Sequence, residues 1–363
     1  MLNELYKLLS SRDPVNWELA RQVAVALATH DEPAVDLEHA QAEFEALSRG
    51  AEVKAEQFCG LTGGELAPVE ACSRERWVEQ NLTSFKFLMD PLAKKFSGAM
   101  APVPLPGEAQ QVLSQISGIL MGLQAGFVLG YLARHVMGQY EVVLPEPEGS
   151  RLLYVVGNLH AVERDWELDP KEFRYWVALH EVSHQLQLST PWVRTYFHDQ
   201  LRTLIDSLDF DPERMQQALG GMGMLDPERM ADMLQDPDAL IQATWTPLSR
   251  DAISRLEAFL TLVEGYSIFV MDGVAAEVLR DHAKMKEVIS RRKNTASPGE
   301  VLFERLLGIE LKRQQYEQGA TFCRYVASMH DIASLNRVWT NPESLPTTDE
   351  FADPDVWIAR ILD

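Results

Sequence analysis

Basic residues are scarce in this chain: 33 lysines and arginines stand against 54 acids, a formal net charge of −21 over 363 residues. That balance repels a phosphate backbone and excludes nucleic-acid binding through a general basic face. Cysteine is scarcer still. Cys59, Cys72 and Cys323 are odd in number and lack CxxC spacing, which excludes a disulfide framework and a zinc knuckle. Reduced thiols in a cytoplasmic protein are the expectation. Residues 1–9 carry an early acid, Glu4, and lack the basic start and cleavage site of a secretory signal, in keeping with that compartment. At 46% hydrophobic and 24% charged, the chain has ample material for a core, and disordered, collagen-like and coiled-coil classes are excluded.

One stretch requires a membrane test. No charge falls between Glu108 and Arg134, and residues 116–133 approach the length of about 20 that a bilayer demands. Gly118, Gly122, Gly126 and Gly130 recur every fourth position, a stripe that lets another helix approach closely in lipid or in water. Gln110, Gln111, Gln115 and Gln124 interrupt the run, and neither an aromatic belt nor a basic flank frames it. A buried helix of a soluble protein is the reading. A membrane-spanning helix is the weaker alternative.

The first hundred residues read as helices. Asp13-Pro14 offers a cap for the run from Trp17 to Thr29, 36–57 is amphipathic, and 73–96 is a third helix interrupted at Asp90-Pro91. The proline-rich stretch 100–107 divides an N-terminal helical region, 1–100, from the region 108–363, the two packed as one compact unit. Short β-like runs at 141–144 and 152–156 are expected to pair as a hairpin. The segment 209–249 repeats Asp-Pro-Glu-Arg-Met at Asp211 and Asp226, read as two small amphipathic helices. The fold class is mainly α (α+β), with a small hairpin or sheet.

The chemistry concentrates at His180-Glu-Val-Ser-His184. Asp169-Pro170 caps a helix on which these two imidazoles, four positions apart, project from one face and can bind one zinc ion at about 2.0–2.1 Å. Glu181, rotated about 100° from His180, falls beside the metal, where it can take a proton from the water that the cation acidifies. Every other position from Val177 to Leu186 is uncharged, as a buried metal helix requires.

A third ligand is needed. A metzincin would place glycine at 187 and histidine at 190, where Gln187 and Thr190 stand, so a carboxylate from a second helix remains, as in the gluzincin arrangement. Glu264 leads, because it lies in an apolar stretch where an unpaired charge is costly. Glu257 and Asp272 share its side of the helix and are alternates, or partners that orient imidazole N–H groups. His198 and His160 follow. Tyr266, Tyr196, His198 and Arg194 are available near such a site as oxyanion donors, and none is assigned.

The runs Gly138-Gln-Tyr-Glu141, Trp176 to His184, Pro191-Trp-Val-Arg194, Val263-Glu-Gly265, Val270-Met-Asp272, Gln315-Tyr316, Gly319 and Trp339 to Glu343 resemble the type 2 zincin-like metallopeptidase family over residues 70–363. Its members are described as zinc-dependent hydrolases, some of them labelled as associated with deazaflavin-coenzyme biosynthesis, a label on which no residue here bears. The resemblance implies that His180 and His184 are ligands, Glu181 the base and Glu264 the third ligand. Tyr266 departs from the family pattern, in which histidine often follows the Glu-Gly pair.

Together these observations lead to the expectation of a cytoplasmic Zn2+ metallohydrolase acting on a peptide or small amide, with no nucleic-acid or membrane partner. A metal-stabilised binding or scaffold protein without peptidase activity is the second reading.

Overall fold

The computed structural model describes residues 13–100, 107–140, 150–209, 246–280, 282–293 and 313–362. The methionine-bearing repeats of 209–249 and the strand expected at 141–144 lie largely or wholly outside them. The described part is mainly helical with a small sheet.

Helix α1 (Trp17–Thr29) is capped by Asn16, whose side chain accepts from the Leu19 N–H. The expected cap at Asp13-Pro14 is displaced because asparagine stands immediately before the first turn and serves it directly. Helix α2 (Leu37–Cys59) begins under an Asp36 cap and ends where Gly60 takes φ 72°, a left-handed stop open to glycine. Strand β1 (Val69–Cys72) leads into α3 (Arg74–Met100), which continues through Pro91 instead of breaking there. The Trp17 indole donates to Asp90 just before that proline, so packing on α1 compensates for the backbone bond that proline forfeits.

Helix α4 (Gly107–His135) carries the glycine stripe, and α1 is what the stripe receives. A Cβ on Gly118 would lie 2.7 Å from the Asp13 carbonyl oxygen, and one on Gly126 would lie 2.7 Å from that of Ala20. The Asn16 N–H donates to the Gly118 carbonyl between the two helices. Two described helices, over Gln115–His135 and Pro247–Val278, are long and apolar enough to cross a membrane by length and composition. The first spends its small-residue face on α1, and the second is largely enclosed in the protein's core.

Strands β2 (Gly138–Tyr140) and β3 (Leu152–Val155) pair antiparallel, and β1 adds to β3 in parallel, giving the order β1-β3-β2. The described partner of β3 thus begins at 138. β1 is an addition that four residues of sequence did not signal.

Helices α5 (Val156–Asp165), α6 (Pro170–Leu188) and α7 (Pro191–Ser207) follow, then α8 (Pro247–Val278), α9 (His282–Lys293), α10 (Arg313–Met329), α11 (Ile332–Leu335), α12 (Thr348–Ala352) and α13 (Pro354–Ile361). Asp169 caps α6 by accepting from Lys171 and Glu172, with Pro170 in the first turn. The main core gathers the buried faces of α2, α6, α7, α8 and α10 around Phe173, Leu179, Phe259, Leu262 and Phe322. Within it α8 runs beside α6, so two helices about 80 residues apart in sequence share one buried face.

Candidate metal centre

On α6, His180 and His184 stand one turn apart, their ring centroids 4.5 Å from each other and their planes nearly perpendicular. Glu264, from the middle of α8, reaches both: Oε2 lies 3.6 Å from His180 Nε2, and Oε1 lies 3.6 Å from His184 Nε2. One ligand atom from each of the three residues falls within 4.8 Å of the others, the one such metal-competent group among the described residues. Ligands about 2.0–2.1 Å from a tetrahedral cation stand roughly 3.4 Å apart, so the two imidazole–carboxylate separations fit a zinc-sized ion. Two neutral imidazoles and one carboxylate also suit its charge and borderline softness.

Burial opposes a charged imidazole at His180, yet hydrogen bonds to Glu181 and Glu264 outweigh it and raise the group to about 9. Trp176, one turn earlier on α6, stacks beside the His180 ring at 6.4 Å.

Glu181 is buried and has two partners. Its Oε1 lies 3.2 Å from His180 Nδ1, and its Oε2 accepts from the Tyr140 backbone N–H at 2.8 Å. The second contact follows from the sheet. Leu152 donates its N–H to Pro68 on the β1 side, so its partner Tyr140 turns N–H and C=O to the side of β2 away from β3. The carboxylate therefore sits on the Nδ1 side of the His180 ring, orienting it so that Nε2 faces Glu264. Gly138 makes room for this: a Cβ there would lie 2.7 Å from Glu181 Cγ and 2.8 Å from its Oε1.

The alternates for the third ligand lie elsewhere. Asp272 is eight residues beyond Glu264, about 12 Å further along the axis. There it pairs with Lys286 at 2.7 Å, Arg324 at 3.1 Å and His282 at 3.4 Å. The expectation that Asp272 orients a ligand imidazole is thereby corrected, since its carboxylate serves Lys286, Arg324 and the His282 ring. Glu257, seven residues before Glu264 and about 10 Å back, is outside the three-residue group. His160 and His198 are outside it too, and the His198 ring packs near Phe87 and Phe197.

Among the unassigned donors, Tyr266 turns into the core, 1% exposed, and gives its hydroxyl proton to Asn336 at 2.7 Å. Tyr196 packs on Trp192 and Phe259. Arg194 donates to the Tyr140 hydroxyl at 2.8 Å and lies over its ring, bracing the residue that holds Glu181.

Two residues near the ligands escaped the sequence reading. Ser267 and Gln187 are fully buried, the serine 3.2 Å from His184 Nδ1 and 2.7 Å from the glutamine amide. The signal available was their spacing, each three positions after a ligand and polar within an apolar stretch.

Comparison with known proteins agrees with this geometry. No curated protein matches the chain. A solved protein from Chloroflexus aurantiacus, described as "a putative hydrolase with a novel fold", is similar with 27% identity and a TM-score of 0.71. The match covers 95% of this chain and 98% of that one. The family model for zincin-like metallopeptidases matches residues 15–358. The chain belongs to the zincin-like metallopeptidase family.

Proposed function

We propose that this protein is a zinc-dependent metallohydrolase of the cytoplasm that cleaves peptide or small amide bonds. The observation supporting it is the convergence of His180, His184 and Glu264, from two helices, at separations that suit one divalent cation. Zinc, when bound, supplies a Lewis acid that acidifies water and polarises a carbonyl.

His180 and His184 would hold the cation through Nε2 and Glu264 through its carboxylate, three protein donors of the kind a catalytic zinc site uses. Glu181 takes the proton from water at a carboxylate oxygen. For that role the carboxylate would have to give up its contact with His180 Nδ1, which Oε1 meets at 3.2 Å. The Gly138 backbone and the Tyr140 carbonyl, which face away from β3, receive an extended peptide by strand addition, while the Tyr140 N–H stays with Glu181.

The test is zinc content combined with digestion of a broad peptide library by the wild type and by Glu181→Gln. Near-stoichiometric zinc in both is expected, with turnover lowered about 10²–10⁴-fold in the variant. A wild type without zinc, or a variant as active as the wild type, overturns the proposal.

One observation favours the second reading, a metal-stabilised binding or scaffold protein: the Glu181 carboxylate is already engaged by a backbone N–H and an imidazole. Bound zinc with no cleavage anywhere in the library would select it.

A further inference from the structure

His184 Nδ1, on the opposite side of the ring from Glu264, faces a hydroxyl. Ser267 Oγ lies 3.2 Å from it and also receives the Gln187 side-chain N–H at 2.7 Å. Ser267 and Gln187 are 0% exposed and His184 is 5% exposed, so solvent is largely excluded from this contact. The other end of the amide, Gln187 Oε1, is buried without a hydrogen-bond partner. A buried polar atom left unmatched costs about 1–3 kcal/mol and calls for a reason.

The reason lies in what His184 must do. While the site holds no cation, Nε2 faces the Glu264 carboxylate, and a neutral ring best keeps its proton there, leaving Nδ1 as an acceptor. Once a cation takes the Nε2 lone pair, the proton resides on Nδ1, which becomes a donor. A carboxylate beside Nδ1 would serve only the second state and a backbone N–H only the first. A serine hydroxyl serves both, because it donates or accepts by turning about one bond. The amide completes the exchange. Its N–H supports the hydroxyl while that hydroxyl donates to His184, and its orphaned Oε1, turned over, accepts a hydrogen bond from the hydroxyl when Oγ must accept from the ring.

We propose that Ser267 and Gln187 form a reversible hydroxyl–amide relay on His184 Nδ1, donating to the ring before cation uptake and accepting from it afterwards. They are positioning residues for His184, and the proposal rests on the zinc reading above. Ser267 sits three residues beyond Glu264 on α8, so the third ligand and the support of the second come from the same turn of helix.

The test is zinc affinity, measured by competition with a chromophoric chelator, in wild type, Ser267→Ala, Gln187→Met and Ser183→Ala. Ser183 is a buried serine beside His184 whose hydroxyl bonds to the Leu179 carbonyl. It controls for loss of any hydroxyl in this core. Ser267→Ala is expected to bind zinc about 10–100-fold more weakly. Gln187→Met should shift affinity in the same direction and stands in if the alanine variant fails to fold. Ser183→Ala should stay within about twofold, well short of that range. Nitrogen NMR of the His184 ring should show the proton moving to Nδ1 when zinc is added to the wild type. Unchanged affinity in Ser267→Ala, or an equal loss in Ser183→Ala, overturns the relay while leaving the zinc reading intact. A wild type that binds no divalent cation overturns both.

Discussion

Gly265 and Gly319 meet backbone to backbone: a Cβ added to Gly265 would fall within contact distance of the Gly319 main chain, and one on Gly319 would collide with the Thr261 carbonyl. This contact presses α8 against α10 immediately beside Glu264. The height and rotation of the third candidate ligand are thus set by an interface of two residues without side chains. Gly265→Ala is expected to lose about 1–3 kcal/mol of stability by overpacking and to weaken zinc binding together with it. Denaturant unfolding and metal titration of the same variant check both halves.

Gly138 has a comparable role at the other side of the site. Alanine there would put a methyl group against Glu181 Cγ and Oε1. Gly138→Ala should therefore displace the Glu181 carboxylate and depress turnover while the His180, His184 and Glu264 donors keep their metal. Zinc content near the wild-type value with reduced peptide cleavage is the expected pair of results, and loss of zinc would show that the displacement spreads to the ligands.

Removing the cation should destabilise the fold. A ligand bound only by the native state stabilises it by about 2.7 kcal/mol at a hundredfold excess over its Kd. Treatment with a chelator is expected to lower the thermal midpoint, and added zinc to restore it. The same treatment of His184→Ala should change little.

Glu350 offers a pH test away from the site. Its carboxylate caps the Thr347 N–H at 2.8 Å and receives Arg360 at 2.7 and 2.8 Å. Burial alone would raise its pKa, but Arg360 and Thr347 outweigh that and hold it below the ordinary 4.5. Because the folded value is the lower one, this contribution is complete above about 4.5 and is lost as pH falls through the folded pKa. Glu350→Gln should cost about 1–3 kcal/mol at pH 7. The gap from wild type should close in acid, measured by unfolding at a series of pH values.

Some of the site was legible because it is local. The four-residue spacing of His180 and His184 fixes their common face through helix geometry alone. Glu264 stood out as an acid in an apolar run. Glu257 and Asp272 show where that reasoning stops, since periodicity gives the angle around a helix but says nothing about which level of it faces a partner. All three acids share a side, and the position of α8 against α6 brought only Glu264 level with the imidazoles. The glycine stripe likewise announced a close helix contact, and α1, about 100 residues earlier, answers it.

From its own residues the chain determined its helical character, the paired imidazoles and the acid beside them, because these follow from periodicity and capping within a few turns. The tertiary structure alone decided which acid meets the histidines, that Glu181 rests on Tyr140 and that Ser267 with Gln187 supports His184. Each of those depends on elements far apart in sequence arriving at the same depth, and that register is set by packing.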